Sequence, residues 1–226
     1  MNTNKIDWES LHNKFLLTVD VLIFTIDHED LKVLLVKRAH EPFKGFWAIP
    51  GGFLKLKESL DIAALRVAKE KTGIKEVYLE QLYTFGALDR NTSVRAITVA
   101  YFSLIPYLKL KKPVSDKISD LQWFYVHKLP KLGFDHEIIL KTAILRLKSK
   151  VGYSNIAFNL LSDKFRLSEL QRIYEVILEK NLDKRNFRKQ ILATGLLSST
   201  GKKELREAHR PAMLYRFKSK NVVYFD

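Results

Sequence analysis

At 226 residues, 46% of them hydrophobic and 28% charged, the chain is too apolar to be disordered and can hold one large domain or two modest ones. The absence of cysteine excludes disulfides, thiolate metal sites and cysteine nucleophiles, and a formal charge of +14 points to a polyanionic partner. No apolar run is long enough for a membrane-spanning helix, and the N-terminal residues lack the basic-then-apolar order of a signal peptide, so the expected location is the cytoplasm.

In chain order, Phe15–Phe24 and Leu31–Val36 are rich in Val, Ile and Leu and flank a polar turn, which predicts a strand pair. Leu60, Ala63, Ala64, Val67 and Ala68 recur at helical spacing up to Lys71, and Gly73 stands where a helix ends. Strand-like runs follow at Val77–Gly86, Val94–Leu104 and Leu121–Tyr125. This alternation predicts an α/β (α+β) domain, a mixed sheet flanked by helices. From Asp135 onward, Ile139, Leu140, Ala143, Ile144 and Leu147 form one apolar stripe, read as a packing helix between domains that can also serve a dimer contact. The uncharged stretch Tyr153–Leu161 sets the boundary, giving domains 1–150 and 151–226.

The second domain reads as a small α+β unit. Ser168 and Gln171 form a capping-box pattern before a helix carrying Leu170, Ile173, Tyr174 and Ile177 on one face. Asp183 caps a second helix, Lys184–Thr194, which Gly195 ends. With Phe187, Ile191 and Leu192 inward, Arg185, Arg188 and Lys189 point out, with Asn186 nearby. Leu196–Ser199 and Met213–Phe217 read as paired strands, with Thr200–Arg210 as a polar wing between them. Helix, turn, basic helix and wing is the order of a winged helix-turn-helix, whose second helix enters the major groove. Charge follows the same division. Residues 151–226 carry 15 Lys and Arg against 8 Asp and Glu, and the segment 183–220 carries 11 against 3. A merely solvated basic face is the competing reading.

The first domain holds a motif. Gly52, Glu58, Arg66, Glu70 and Gly73 keep the spacing of a 23-residue pattern that resembles the Nudix box, and the flanking Trp47-Ala48-Ile49-Pro50-Gly51-Gly52 is similar to Nudix domains as well. The resemblance implies a pyrophosphate-cleaving fold whose helix carries glutamates for magnesium. Two of those glutamate positions fall here on Val67 and Lys71, on one helix face with Glu70. Magnesium needs carboxylate oxygens, and an ammonium beside it is repulsive by roughly a few kcal/mol. The expectation is therefore no metal, no cofactor and no hydrolysis, with Lys71 paired to Glu70 or Glu58 in the metal's place. A hydrolase of nucleoside-diphosphate-linked substrates is the alternative, and a Nudix-fold RNA-binding protein a third. None of the six histidines has metal-ligand spacing with another.

The segments Asp183–Lys189 and Arg210–Phe217, with Gly86–Arg90 in the first domain, resemble Nudix-related transcriptional regulators of the NrtR and AraR kind. That resemblance implies a homodimer on a near-palindromic double-stranded DNA operator, with a small effector in the first domain altering DNA affinity. The DNA-binding candidates are Lys184, Arg185, Asn186, Arg188, Lys189, Lys202, Arg210, Tyr215 and Arg216. Of these, Arg185, Asn186 and Arg188 suit base edges. The effector candidates are Arg38, Phe46, Trp47, Asp89 and Arg90, although Trp47 also reads as a core residue and Asp89 and Arg90 as a mutual pair. The expected effector is a sugar or an ADP-ribose-like metabolite, with loss of the metal site favouring the sugar.

Overall fold

The computed structural model describes residues 15–75, 77–90, 94–107, 117–206, 209–219 and 221–225, except for the side chains of 203–206, 209 and 210. Its larger sheet combines β1 (Leu16–Asp27), β2 (Asp30–Arg38), β3 (Trp47–Ala48), β4 (Gly51–Phe53), β5 (Glu80–Phe85), β6 (Ala96–Leu104) and β7 (Ile118–Tyr125). The main path runs β3-β2-β1-β6-β5, with β4 on β1 and β7 on β2. The β1–β6 pair is parallel, Leu16 opposite Ala96 through Phe24 opposite Leu104, while the other pairs are antiparallel. A strand in that central position is covered on both faces, so β1 is a near-continuous apolar run.

Alternation along the strands assigns residues to two layers. Val19, Val21, Ile23, Val99 and Tyr101 pack with Ala63, Ala64, Val67 and Ala68 of α1 (Leu60–Thr72). Leu22, Phe24, Ala100, Phe102 and Leu104 face the opposite layer, where α2 (His136–Lys150) contributes Ile139, Leu140, Ala143 and Leu147. The stripe expected on α2 is buried as anticipated, with Ile144 at its edge.

This second core does not stop at the end of α2. It continues through a 3₁₀ turn (Ile156–Leu160) into β8 (Phe165–Arg166), α3 (Leu167–Leu178), α4 (Lys184–Ala193), β9 (Leu197–Arg206) and β10 (His209–Phe217). The smaller sheet has the order β8-β10-β9. Phe217 stacks on Phe158 and Phe165, with ring centres 4.2 and 4.4 Å apart.

Three local readings change. The helix read as capped by Ser168 starts earlier, at Leu167, because β8 pairs with β10 and runs directly into it, and the Arg166 amide donates to Glu169 at 2.8 Å. Leu192, expected inward, is 37% exposed, since Phe187 and Ile191 alone span the narrow buried face of α4. The paired strands reach further into the wing than Ser199: Thr200–Arg206 continues β9, with Met213 opposite Lys203 and Ala212 opposite Glu204. The two-residue and three-residue strands β3, β4 and β8 are too short for a periodic signal.

Candidate functional site

On the Nudix-like helix α1, Arg66 is the organising residue. Its Nε and Nη2 donate to both oxygens of Glu58, at 2.8 and 2.5 Å, its Nη1 to Glu70 at 3.1 Å and its Nη2 to the Phe53 carbonyl at 2.9 Å. Glu58 also accepts from the Lys55 amide at 2.8 Å, and the Lys55 ammonium lies 3.9 Å from Glu70. The Arg66 hydrogen bond dominates the Glu58 environment and draws that carboxyl down to about 2. Val67 is fully buried, and its Cγ2 would lie only 3.1 Å from a side chain at Gly52. The three helix positions thus present a buried alkyl group, a carboxylate held by Arg66 and Lys55, and the ammonium-bearing Lys71. These residues do not fit a magnesium ion, which needs near-octahedral oxygen ligands. Among the described residues no cluster of His, Asp and Glu could hold a metal.

On the opposite face of β1 lies a buried polar cluster that the sequence reading missed apart from Arg90. Thr98 donates to Asp20 at 2.7 Å. Arg90 grips Asp135, the residue preceding α2, through two 3.0 Å bonds, and its Nη2 lies 3.8 Å from Asp20. The Ile49 amide donates to His136 Nδ1 at 2.9 Å, and His136 Nε2 lies 4.0 Å from Asp20. Burial pushes the Asp20 carboxyl up to about 6, against the opposing pull of Thr98 and Arg90. Burial also pushes His136 down to about 3, leaving it neutral near pH 7. A side chain on Gly51 would run into the Asp20 carboxylate, so the glycine before the box is required by this cluster.

Arg90 is therefore not the partner of Asp89, which is exposed on the turn after β5. The other effector candidates lie among aromatic rings. Phe43 meets Phe46 edge-on at 5.7 Å and Phe134 at 4.6 Å, and both Phe43 (φ 63°) and Phe134 (φ 57°) hold left-handed backbone. Such strain in a bulky residue costs on the order of 1–3 kcal/mol and persists only where neighbours enforce it. Three cations cover these rings: Arg38 above Phe134 at 5.0 Å, Lys131 above Phe46 at 5.3 Å and Lys37 above Trp47 at 5.9 Å. Trp47 itself packs edge-on against Phe124 at 4.6 Å and is half-buried. The Arg38 Nε donates to the Pro42 carbonyl at 2.6 Å, which orients its guanidinium.

The second site is α4. Asp183 caps it by accepting from the Asn186 amide at 2.8 Å. Phe187 and Ile191 are buried, Phe187 edge-on to Tyr174 of α3 at 5.3 Å, so Lys184, Arg185, Asn186, Arg188 and Lys189 are all exposed. Lys202 and Arg216 are exposed on the β9–β10 hairpin, and Arg216 donates to Ser198 at 3.4 Å. The Arg210 side chain lies outside the described residues. Tyr215, expected on this face, is instead buried in the core beneath it, paired through its backbone with Phe165 and Ser199.

Two families match in the same order. The NUDIX domain matches residues 14–143 and the NrtR DNA-binding winged helix domain residues 157–217. The ADPR responsive transcriptional repressor of Acinetobacter baylyi is 37% identical over 206 residues, which cover 89% of this chain and 82% of that protein. Shewanella oneidensis NrtR, solved in complex with a 27mer DNA, superposes with a TM-score of 0.78 at 38% identity, covering 89% of this chain and 93% of that one. The NUDIX domain of that Shewanella protein, solved in complex with ADP ribose, gives a TM-score of 0.57 at 37% identity over 63% of this chain and 94% of that one.

Proposed function

The chain belongs to the NrtR-type regulators, a NUDIX domain followed by an NrtR winged helix domain, and is a DNA-binding transcription regulator; from this we propose that it is a repressor whose operator affinity responds to ADP-ribose and whose Nudix helix no longer supports hydrolysis. One observation carries the reading: a capped, apolar-anchored helix turns four cations outward on a chain whose Nudix helix has Val67 and Lys71 where metal ligands belong.

The division falls at residue 150, with 1–150 as sensor and 151–226 as DNA-binding domain, in keeping with the end of α2 and the spans of the two family matches. Arg185, Asn186 and Arg188 read base edges, while Lys184, Lys189, Lys202, Arg210 and Arg216 hold phosphates. A symmetric homodimer on a near-palindromic site then places half-sites about one helical turn, or a multiple, apart. The protein works in the cytoplasm, and no helix among the described residues is long and apolar enough to cross a membrane.

Loss of the metal ligands favoured a free sugar over a pyrophosphate. Recognition without cleavage, however, requires cations and flat faces rather than a metal. Arg38, Phe46 and Trp47 supply both, a cation for a diphosphate and flat faces for an adenine ring, and Asp89 and Arg90 complete the proposed effector set. The ADP ribose complex of the Shewanella domain supports the same choice.

The test is a fluorescence-anisotropy titration on operator duplex, with and without ADP-ribose, in magnesium buffer, followed by chromatography of the nucleotide. The expected outcome is a shift in operator affinity of about 5–150-fold with ADP-ribose recovered intact. Unchanged affinity rejects the effector, and metal-dependent cleavage that disappears in Glu70→Gln rejects the silent helix.

A further inference from the structure

Beyond residue 14, two segments lie outside both matched families: residues 144–156, which join the domains, and everything after residue 217. In the structure these two segments bind each other. Asn155, almost completely buried, donates through Nδ2 to the Asn221 carbonyl at 2.9 Å and accepts at Oδ1 from the Val223 amide at 2.7 Å. The Asn155 amide donates to the Val223 carbonyl at 3.2 Å, and the Phe225 amide to the Tyr153 carbonyl at 2.7 Å. Ser154 and Tyr224 face each other in an antiparallel bridge.

The same place also reaches the sensor sheet. Lys150, the last residue of α2, is only 2% exposed, yet it bears an ammonium. Its Nζ donates to Glu80 of β5 at 2.6 Å and to the Tyr224 hydroxyl at 3.3 Å, and lies 4.8 Å from the centre of the Tyr224 ring. Tyr153 stacks on Tyr224 with centres 6.2 Å apart. A cation so buried is held only where partners surround it. Here the partners come from β5, the joint and the end of the chain.

We propose that residues 221–225 are a clasp that ties the winged helix back to the sensor, so that the DNA-binding domain is held at both its entrance and its exit and the state of the sensor sheet reaches α4 through a fixed joint. The shared apolar core already seats the winged helix against α2, and the clasp adds a second hold at its exit; without it that packing alone would have to transmit any change in α2. With the exit clasped at Lys150 and Asn155, a displacement of α2 carries the whole domain with it.

Calorimetric unfolding tests the clasp on the full chain, on a variant ending at Lys220 and on full-length Asn155→Ala, which removes both side-chain bonds to the tail without shortening the protein. The parent is expected to unfold in one cooperative transition and both variants in two. A single transition in both variants overturns the proposal, because the joint then holds without its clasp. The regulatory half rests on ADP-ribose being the effector. In the clasp variants its shift of operator affinity should fall below about twofold, with ADP-ribose affinity retained within about twofold. A variant that keeps the full parental shift overturns that half. A parent that ignores ADP-ribose refutes the effector instead, and the unfolding profile still decides the clasp.

Discussion

Asp20 and His136 stand 4.0 Å apart and are displaced in opposite directions by the same burial. Folding favours the protonated form of Asp20, whose carboxyl is raised from 3.8 to about 6, so this residue weighs against the fold increasingly as pH rises through that window. Folding favours neutral His136, whose pKa is lowered from 6.5 to about 3, so its contribution is fully present above pH 6.5 and lost as pH falls toward 3. Between about pH 4 and 6 the two slopes oppose each other. We therefore expect Asp20→Asn to lose melting temperature more steeply than the parent from pH 6 to pH 4, and His136→Asn less steeply. Parallel melting-temperature curves for all three proteins would show that neither group is coupled to folding. No sequence pattern announces this cluster, because its members meet across the fold: 45 residues separate Arg90 from Asp135, 78 separate Asp20 from Thr98 and 87 separate Ile49 from His136. Arg90 is legible only as the end of the Gly86–Arg90 segment, and its partner Asp135 cannot be inferred from neighbours in the chain.

At the scale of elements, α4 is the opposite case, because a ten-residue amphipathic helix writes both its faces into consecutive residues. Its cap, its buried anchors and its outward cations were all legible, and only Leu192 was misplaced, by a single position around the helix. In the hairpin beside it the strand reading stops at Ser199 and gives way to a wing, because the polar residues beyond carry no apolar face to mark a continued strand. These two elements should separate in their sensitivity to sequence and salt. Arg188→Ala is expected to cost about 1–3 kcal/mol on operator and to relax preference at one position. Lys202→Ala should weaken operator and scrambled duplex alike and reduce the slope of log affinity against log salt by about one. Anisotropy titrations at several salt concentrations distinguish them. Parental binding by both variants would remove α4 and its hairpin from the interface.

For the molecule as a whole, one apolar core runs from the sensor sheet through α2 into the winged helix, and the chain's end is bound beside the joint. Two sites linked by such a body must influence each other reciprocally: operator DNA should change the affinity for ADP-ribose by the same factor by which ADP-ribose changes the affinity for operator. Calorimetric titration of ADP-ribose into free protein and into the operator complex measures this, and equal affinities would leave the two domains thermodynamically independent. The parallel β1–β6 pairing bears on how the protein is made. Every paired residue in it is 80 positions from its partner, Val19 opposite Val99 for example. At about 5–20 residues per second of synthesis, β1 emerges roughly 4–16 s before the strand that covers it. During that interval one of the most apolar segments of the protein has its hairpin with β2, its contact with β4 and, on one face, α1 to shield it, while its β6 edge stays open. The sensor is thus the slow-maturing half of a nascent chain whose DNA-binding half closes over shorter separations, Tyr215 opposite Phe165 in its β8–β10 pair.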